Sequence, residues 1–379
     1  MRIATLQIAS VLGNVQTNIR KADELLRDAR VSQGDGSSVP VEDAKLDILV
    51  LPELAMTGYN FPSLEAIRPY LEPAGEGPSA TWARQTAKRL GCKVCVGYPE
   101  IETDGQRNEK YYNSLLVVDE EGSVLLNYRK TFLYYTDETW ASEGSAELGF
   151  HQLTFPKSSP SRAEGEAAIL PPASSGLESK VSNEIATSFG ICMDINPYKF
   201  EAPYSAYEFA HRVLDSRSQL VILSMAWLTL LTREEVDTLS DGPALETFNY
   251  WIQRFMPLLQ KQMRHALNAD ANAETDANTY PEKKVILVFA NRAGEEEGPS
   301  LARYAGTSTI IAISQRPRLA PFSAADNAGA SSSDDDQEPE FDAKILCWDI
   351  LGAREEGLCF ADTGADPKMV FQLVSRARE

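Results

Sequence analysis

Three residues that could carry out chemistry each follow an apolar run of the kind that forms a buried strand. Cys192 ends the run 184–191, Glu53 follows the run 46–51, and Lys130 follows the run 123–128. Because α/β enzymes build their sites beyond the carboxyl ends of strands, we expect these side chains to face a common site. A thiol, a carboxylate and an ammonium can act as nucleophile, base and oxyanion-stabilising cation. Together they are sufficient for amide chemistry.

Histidine is the usual base for a cysteine nucleophile, and the sequence argues against it. The chain has three histidines, His151, His211 and His265, and each falls in a loop-like or helical stretch without a strand-end pattern. Glu53 is the better candidate, since apolar neighbours flank it and burial raises the pKa of a carboxyl towards neutrality. We therefore expect a carboxylate base.

Short motifs surround all three residues. Residues 52–59 read Pro-Glu-Leu-Ala-Met-Thr-Gly-Tyr, residues 128–133 read Tyr-Arg-Lys-Thr-Phe-Leu, and residues 190–194 read Gly-Ile-Cys-Met-Asp. In composition and in order this set resembles the three blocks of the nitrilase superfamily of carbon-nitrogen hydrolases. One block alone is a weak signal, but three in the family's order are a strong one.

The resemblance implies a role for each matching residue. Glu53 is expected to be the general base and Cys192 the nucleophile. Lys130, with the backbone N–H of Met193, is expected to stabilise the tetrahedral oxyanion. The resemblance implies no metal ion and no cofactor.

A second glutamate supports the lysine in much of that superfamily. Glu138 is the preferred match, because the amidase branch places its acid just before an aromatic residue and Trp140 follows here. Glu143 is close enough in the sequence to remain the alternative.

The segment 191–203 narrows the resemblance to one branch. It is similar to the fungal amidases that deamidate an N-terminal Asn or Gln of a protein, and the similarity extends to residues 224–228. For Asp194, capping of the turn is an equal alternative to contact with the substrate amine. The substrate-contact residues that the resemblance implies are Tyr59, Met193, Asp194, Asn196, Ser224 and Trp227.

The branch implies a substrate and a product. The substrate is a protein or peptide N-terminus bearing Asn or Gln, and the products are ammonia and an N-terminal Asp or Glu that could feed N-degron protein degradation. The preference between Asn and Gln stays open. Two other functions also stay open: a small-molecule amidase of the ω-amidase kind, and a catalytically silent interaction protein on the same fold.

Composition sets the outer limits. A chain of 379 residues with 43% hydrophobic content can bury a large core, and we expect a single domain over residues 1–379. The net charge of −19 excludes nucleic acid as a partner, and it could favour a cationic ligand such as a protonated peptide N-terminus. No apolar run approaches the length of a membrane helix, so no membrane association is expected.

Five cysteines without a disulfide framework indicate a reducing compartment. Cys92 and Cys95 form a C-x-x-C inside a strand pattern, without the second pair that a zinc site needs, so we expect packing roles for them and for Cys347 and Cys359. With no leader pattern before the strand at Arg2, the cytoplasm is predicted. Nuclear or mitochondrial pools, and the oligomeric state, stay open.

Strand patterns alternate with helical ones along the chain, which predicts an α/β fold. Helices are expected near 15–30, 79–90 and 245–267, and one is expected after Pro203. The family resemblance implies a nitrilase-like four-layer αββα sandwich. Three polar stretches, 157–182, 268–282 and 323–342, are predicted to be surface loops.

Overall fold

The structure is a computed structural model that describes residues 1–33, 36–156, 182–239, 241–263, 282–298, 300–317 and 341–372. In chain order, its strands are β1 (Arg2–Gln7), β2 (Arg30–Ser32), β3 (Ser38–Pro40), β4 (Ile48–Val50), β5 (Glu72–Pro73), β6 (Lys93–Thr103), β7 (Glu109–Val118), β8 (Val124–Arg129), β9 (Phe150–Pro156), β10 (Ser182–Ile191), β11 (Leu220–Ser224), β12 (Lys283–Ala290), β13 (Glu295–Glu296), β14 (Ala302–Arg303), β15 (Thr309–Pro317), β16 (Phe341–Ile350), β17 (Gly357–Asp362) and β18 (Met369–Gln372). Its α-helices are α1 (Val15–Asp28), α2 (Leu64–Ile67), α3 (Gly77–Leu90), α4 (Glu208–Asp215), α5 (Arg233–Thr238), α6 (Leu245–Gln253) and α7 (Met256–Gln260).

Two seven-stranded sheets form the centre of the fold. One has the order β17-β1-β4-β6-β7-β8, with β5 also paired to β6, and the other has the order β18-β16-β15-β12-β11-β10-β9. β1, β4 and β6 are parallel neighbours, and so are β10, β11 and β12. Because parallel strands end at the same edge of a sheet, the residues that follow them are collected there.

The alternation of side chains along each strand separates the layers. In β4, Ile48 and Val50 pack into the core that the two sheets share, whereas Leu49 faces α1 and α3. On the other side of the second sheet, Trp251 of α6 stacks on Phe289 of β12, with the ring centroids 4.9 Å apart. The order of layers is therefore helix, sheet, sheet, helix, which is the αββα sandwich that the resemblance implied.

The long helix predicted over 245–267 is wrong in its length. α6 ends at Gln253 and α7 begins at Met256, with Phe255 between them at φ −109° and ψ 18°. Pro257 lies in the first turn of α7, and a proline has no N–H to continue the hydrogen bonding of a preceding turn. The edge strand β9 was not predicted from the sequence.

The three predicted loops, 157–182, 268–282 and 323–342, lie almost wholly outside the described residues, as does His265. Ser182 begins β10 and Phe341 begins β16, so the described ends of the first and third stretches belong to strands, whereas Glu282 directly precedes β12. Within the described parts of the chain, no helix is long and apolar enough to cross a membrane. The single-domain organisation stays a prediction.

A buried carboxyl in β5, hydrogen-bonded to the first turn of α3, gives a pH-dependent prediction. Glu72 accepts hydrogen bonds from the backbone N–H (3.0 Å) and the hydroxyl (2.7 Å) of Ser79, and burial raises its pKa from 4.5 to about 7. Between these pH values the folded protein holds a proton that the unfolded chain has lost, so stability falls as the pH rises from about 4.5 to 7.

Glu72→Gln cannot titrate, so its free energy of unfolding relative to the native protein should rise between pH 5 and pH 8. The change in the pKa of Glu72 predicts a rise of about 2 to 3 kcal/mol over this pH range. Urea unfolding at the two pH values measures it. Glu76→Gln, an exposed change in the same segment, is the control and should show no such pH-dependent difference. A parallel pH response in Glu72→Gln and the native protein would contradict the prediction.

Candidate active site

Glu53 lies in a tight turn directly after β4. Leu54, the next residue, has a positive φ of 47°, which turns the chain sharply. Strand β6 passes so close to this turn that a Cβ on Gly97 would lie 2.8 Å from the Glu53 Cα atom. Only glycine fits at position 97 without displacing the backbone that carries Glu53.

Cys192 occupies the junction between β10 and a 3₁₀ turn that spans Cys192–Ile195. Its φ of 42° is in the left-handed region, which is uncommon for a residue other than glycine. Such strain persists only where the surrounding structure enforces it, and it is concentrated at functional sites. The strand-end geometry places the thiol at the inner end of a cavity.

Lys130 is fully buried between two carboxylates. Its Nζ atom lies 2.6 Å from Oε1 of Glu53 and 2.5 Å from Oδ2 of Asp137. Asn113 of β7 closes the ring, since its Nδ2 atom donates to Oε1 of Glu53 (2.6 Å) and to Oδ1 of Asp137 (2.9 Å). One amide thus holds both carboxyl groups beside the ammonium of Lys130, as an acceptor oxygen of each points at its NH₂ group.

Burial and charge set the protonation states of this cluster. Burial raises the pKa of the Glu53 carboxyl even though Lys130 opposes the shift. Burial would lower the pKa of Lys130, but Asp137 and Glu53 outweigh it and raise that pKa. Burial, followed by the Glu53 charge, raises the pKa of the Cys192 thiol well above its ordinary value. Both influences on Cys192 favour the neutral thiol over the thiolate.

The backbone N–H of Ala226 lies between Glu53 and Cys192. It donates to Oε2 of Glu53 at 2.8 Å, and its presence near the sulfur partly offsets the rise in the pKa of the Cys192 thiol. This oxygen of Glu53 and the sulfur of Cys192 are therefore close to the same N–H. This places a carboxylate where it can accept the thiol proton.

The prediction that Glu138 supports the lysine is corrected by the structure. Asp137 is the buried contact of Lys130, whereas Glu138 is exposed. The two residues share a 3₁₀ turn over Asp137–Thr139, in which successive side chains point about 120° apart. When Asp137 points inward, Glu138 must point outward. Glu143, the alternative, is also exposed and accepts a hydrogen bond from Tyr198 (2.9 Å).

Two predicted substrate contacts are also corrected. Asp194 is fully buried, and it accepts hydrogen bonds from the backbone N–H groups of Thr131, Phe132 and Ile191 and from the Tyr128 hydroxyl. Asp194 therefore caps the turn, which is the second of the two roles considered from the sequence. It also joins the segment that follows Lys130 to β10, the strand that precedes Cys192. Ser224 is fully buried as well, and its hydroxyl donates to the Leu51 carbonyl of the other sheet at 2.9 Å.

The other predicted contact residues line a cavity of about 580 Å³ that reaches from Cys192 towards the surface. They are Tyr59, Met193, Asn196 and Trp227. The Tyr59 ring also lies 5.6 Å from the Lys130 ammonium, and Asn196 Oδ1 accepts a hydrogen bond from the Tyr250 hydroxyl at 2.7 Å. His151 and His211 are not part of this lining.

Comparison with known proteins relates the sequence to one family of hydrolases. The sequence model of the carbon-nitrogen hydrolase family matches residues 2–180. The protein N-terminal amidase of Schizosaccharomyces pombe is 29% identical over 330 residues, which are 83% of this chain and 92% of that protein. Residues 2–180 therefore carry a carbon-nitrogen hydrolase domain sequence.

Other relatives extend the comparison. The protein N-terminal amidase of Saccharomyces cerevisiae is 33% identical over 254 residues, 65% of this chain, and the match spans about half (49%) of that protein. Crystal structures of N-terminal amidase, among them one with a Gln-Gly peptide and one with an Asn-Glu peptide, superpose with TM-scores of 0.65. They are 23% identical and cover 99% of both chains, which establishes the shared fold.

A buried ion pair behind the candidate site supports the turn that carries Glu53, and it was not predicted from the sequence. Arg292, just after β12, is fully buried, pairs with Glu296 and donates to the Leu54 carbonyl at 3.2 Å. Glu296 in turn accepts the backbone N–H of Tyr59 at 2.9 Å and the Tyr304 hydroxyl at 2.6 Å. Together they hold the turn that carries Glu53. The sequence did contain a signal for Arg292, because this residue follows the apolar run 285–290 just as Glu53 follows the run 46–51.

Within the described residues, no group of three or more His, Cys, Asp or Glu side chains is arranged to hold a metal ion.

The neighbouring acids Asp137 and Glu138 permit a matched test of the lysine support. Asp137→Asn should lower kcat about tenfold to a hundredfold, because the buried ammonium loses a charge-assisted contact. Glu138→Gln makes the equivalent change one residue away on the exposed side and should leave kcat unchanged. Steady-state ammonia release measures both. If Glu138→Gln were the more damaging change, the assignment of Asp137 would be wrong.

Proposed function

We propose that this protein removes ammonia from the side-chain amide of an N-terminal Asn or Gln of a protein or peptide. The observation that carries the proposal is the buried Glu53–Lys130–Asp137 cluster beside the Cys192 thiol, at the inner end of a cavity with exposed residues at its mouth. A substrate that enters by its first residue can bring a side-chain amide to the sulfur.

In the first half of the reaction, Glu53 accepts the thiol proton as the Cys192 sulfur attacks the carboxamide carbon. The two contacts of the Lys130 ammonium with Glu53 and Asp137 use two of its three N–H groups. The third, with the backbone N–H of Met193, stabilises the oxyanion. The proton on Glu53 is then transferred to the departing nitrogen, so that ammonia leaves and a thioester remains.

In the second half, water replaces ammonia. Glu53, again a carboxylate, removes a proton from a water molecule that attacks the thioester carbon. The tetrahedral intermediate uses the same donors, Lys130 and the Met193 N–H. Its collapse breaks the carbon–sulfur bond, and the sulfur regains its proton from Glu53. The net change is hydrolysis of one amide to a carboxyl group and ammonia.

The charge of the cavity favours a peptide over a free amino acid. No Lys, Arg or His side chain is among the described residues that line it. The α-carboxylate of free glutamine, or a second carboxylate of a small ω-amide, would enter without a cationic partner, which is costly. In a peptide that carboxyl group is a neutral amide.

The substrate's α-ammonium needs acceptors near the inner end of the cavity. Asp194 is fully engaged by four donors, so we assign this contact to Asn196 instead. Its Oδ1 atom accepts one hydrogen bond from Tyr250 and has a second lone pair. The amidases of the two yeasts, and the N-terminal amidase structures with Gln-Gly and Asn-Glu peptides, support the proposed substrate.

The product would carry an N-terminal Asp or Glu, and we propose that it feeds N-degron protein degradation. All five cysteines are free, which fits a reducing compartment such as the cytoplasm.

Ammonia release from peptides with free and acetylated N-termini tests the proposal. Asn and Gln peptides with a free α-amine should be turned over, and acetylation should lower kcat/KM at least about tenfold to a hundredfold, because one charge-assisted contact is lost. Free glutamine should be a poor substrate. Equal turnover of free and acetylated peptides would reject the N-terminal specificity. Faster turnover of free glutamine or other small ω-amides would favour the small-molecule amidase.

A further inference from the structure

The cavity changes in character from its inner end to its mouth. Cys192 and Met193 at the inner end are buried. At the mouth, Phe200 is 46% exposed, Leu245 is 61% exposed and Leu230 is fully exposed. Large apolar side chains that reach water around a cavity commonly mark a binding surface. We name Phe200, Leu230 and Leu245, together with Glu246, the mouth residues.

The proposed reaction decides which part of a substrate reaches this mouth. The first residue must lie at the inner end, because its amide carbon has to contact the Cys192 sulfur. An extended peptide advances about 3.3 Å per residue, so the second and third residues lie farther out. The mouth residues are continuous with the cavity and therefore face this part of the substrate chain.

One mouth residue is charged. Glu246 is the only ionisable acid or base with a formal charge among the described residues that line the cavity, and it is exposed in the first turn of α6. Within the described part of the chain it forms no salt bridge. Lys199, next to Phe200 in the sequence, lies over the Tyr198 ring. Tyr198 and the charges of Glu143 and Glu138 raise the pKa of its ammonium. The charge at the mouth is therefore negative.

The aromatic side of the mouth is held in place. Lys199 and Phe200 both have positive φ values, 53° and 56°, in a turn that directs the Phe200 ring outward. Its ring contacts those of Tyr134 and Tyr135, with centroid distances of 6.3 and 6.0 Å. These contacts leave part of the Phe200 ring exposed to a bound peptide.

We propose that the mouth residues select the second and third residues of the substrate, favouring apolar and basic side chains over acidic ones. This inference rests on the proposed N-terminal amidase activity and adds a specificity to it. An apolar side chain would bury against Leu230, Leu245 and Phe200, and a basic one would approach Glu246.

A set of peptides that differ only at the second residue tests the charge part. We compare kcat/KM for Asn-Lys and Asn-Glu peptides within each enzyme preparation, so that the fraction of active enzyme cancels from the ratio. The native ratio should favour Asn-Lys, and Glu246→Gln should lower it about threefold or more, as loss of an exposed charge pair allows. Glu234→Gln is the matched control, because Glu234 is an exposed acid in the first turn of α5.

The apolar part has its own comparison. Leu230→Ser should lower the ratio of kcat/KM for Asn-Leu over Asn-Gly about threefold or more, because apolar contact area is lost. Leu148→Ser, at an exposed leucine outside the cavity, should leave that ratio unchanged.

The outcomes separate the two proposals. Ammonia release from none of the peptides would reject the proposed function, and this inference with it. Turnover of all the peptides with ratios that neither Glu246→Gln nor Leu230→Ser changes would overturn the inference alone. If Glu246 instead held the α-ammonium, Glu246→Gln would slow all peptides equally and leave the Lys-to-Glu ratio as it was, which also overturns it.

Discussion

Replacing Cys192 with alanine is expected to abolish ammonia release. The substitution removes the sulfur that forms the thioester, and loss of a covalent nucleophile costs several orders of magnitude in kcat. The variant should bind peptides, because the cavity wall changes by one atom only. Ammonia release under saturating peptide measures the loss, and intact-mass analysis after an acid quench should show an acyl adduct on the native protein alone. Residual activity above ~1% would contradict the role of Cys192.

Two other buried cysteines provide the controls. Cys92 packs against the helices on one side of the first sheet, and Cys95 packs in the core between the sheets. Burial raises the pKa of Cys92 to about 12, so this residue stays an unreactive thiol. Cys92→Ala and Cys95→Ala should keep kcat nearly intact, even where they lower the melting temperature. A redox or metal role for this C-x-x-C pair would make them the damaging substitutions.

Replacing Lys130 with methionine is expected to lower kcat about a hundredfold to a thousandfold, with a much smaller change in KM. The ammonium acts on the oxyanion, which exists only during the reaction, so its loss affects the rate more than binding. The change also leaves Glu53 and Asp137 buried without their cation, and breaking a buried pair costs about 3 to 5 kcal/mol of stability. Steady-state kinetics and urea unfolding on the same preparation separate the two effects.

Lys93 is the matched control for this buried cation. It is also buried, pairs with Glu120 at 2.8 Å and lies over the Phe155 ring, away from the cavity. Lys93→Met should therefore lower stability without lowering kcat. Lys130→Arg should be damaging to kcat, because a planar guanidinium cannot replace a compact charge in this enclosed position. Equal effects of Lys93→Met and Lys130→Met on kcat would reduce Lys130 to a structural residue.

Patterns local in the sequence were sufficient to predict that Glu53, Lys130 and Cys192 follow strands. A strand pattern and the residue that ends it depend on a few consecutive side chains, and the parallel order of strands then brings such ends to one edge. Glu53 and Lys130 were each predicted at a strand end, and the structure brings their side chains into contact. The choice of family followed from the same short segments.

The residues that surround and support the site depend on tertiary contacts. Asp137 rather than Glu138 contacts Lys130 because of the direction of a 3₁₀ turn, and one residue of rotation reverses inside and outside. Asn113 had only one signal, an amide within a strand of apolar residues, and its two carboxylate partners come from distant segments.

Asp194 and Ser224 show the reverse case, in which residues at predicted strand ends serve the structure. The donors to Asp194 come from β8, from the segment after it and from β10, and Ser224 donates across to Leu51 of the opposite sheet. The spacing of residues in the sequence does not predict which side chains meet when two sheets pack face to face. The sequence by itself, through its motifs and the family that they resemble, predicted the family, the layer order and the three strand-end residues Glu53, Lys130 and Cys192. Only the tertiary structure decided which polar groups face the cavity and which are consumed in holding the sheets together, because a buried polar group must find its partner wherever the packing places one.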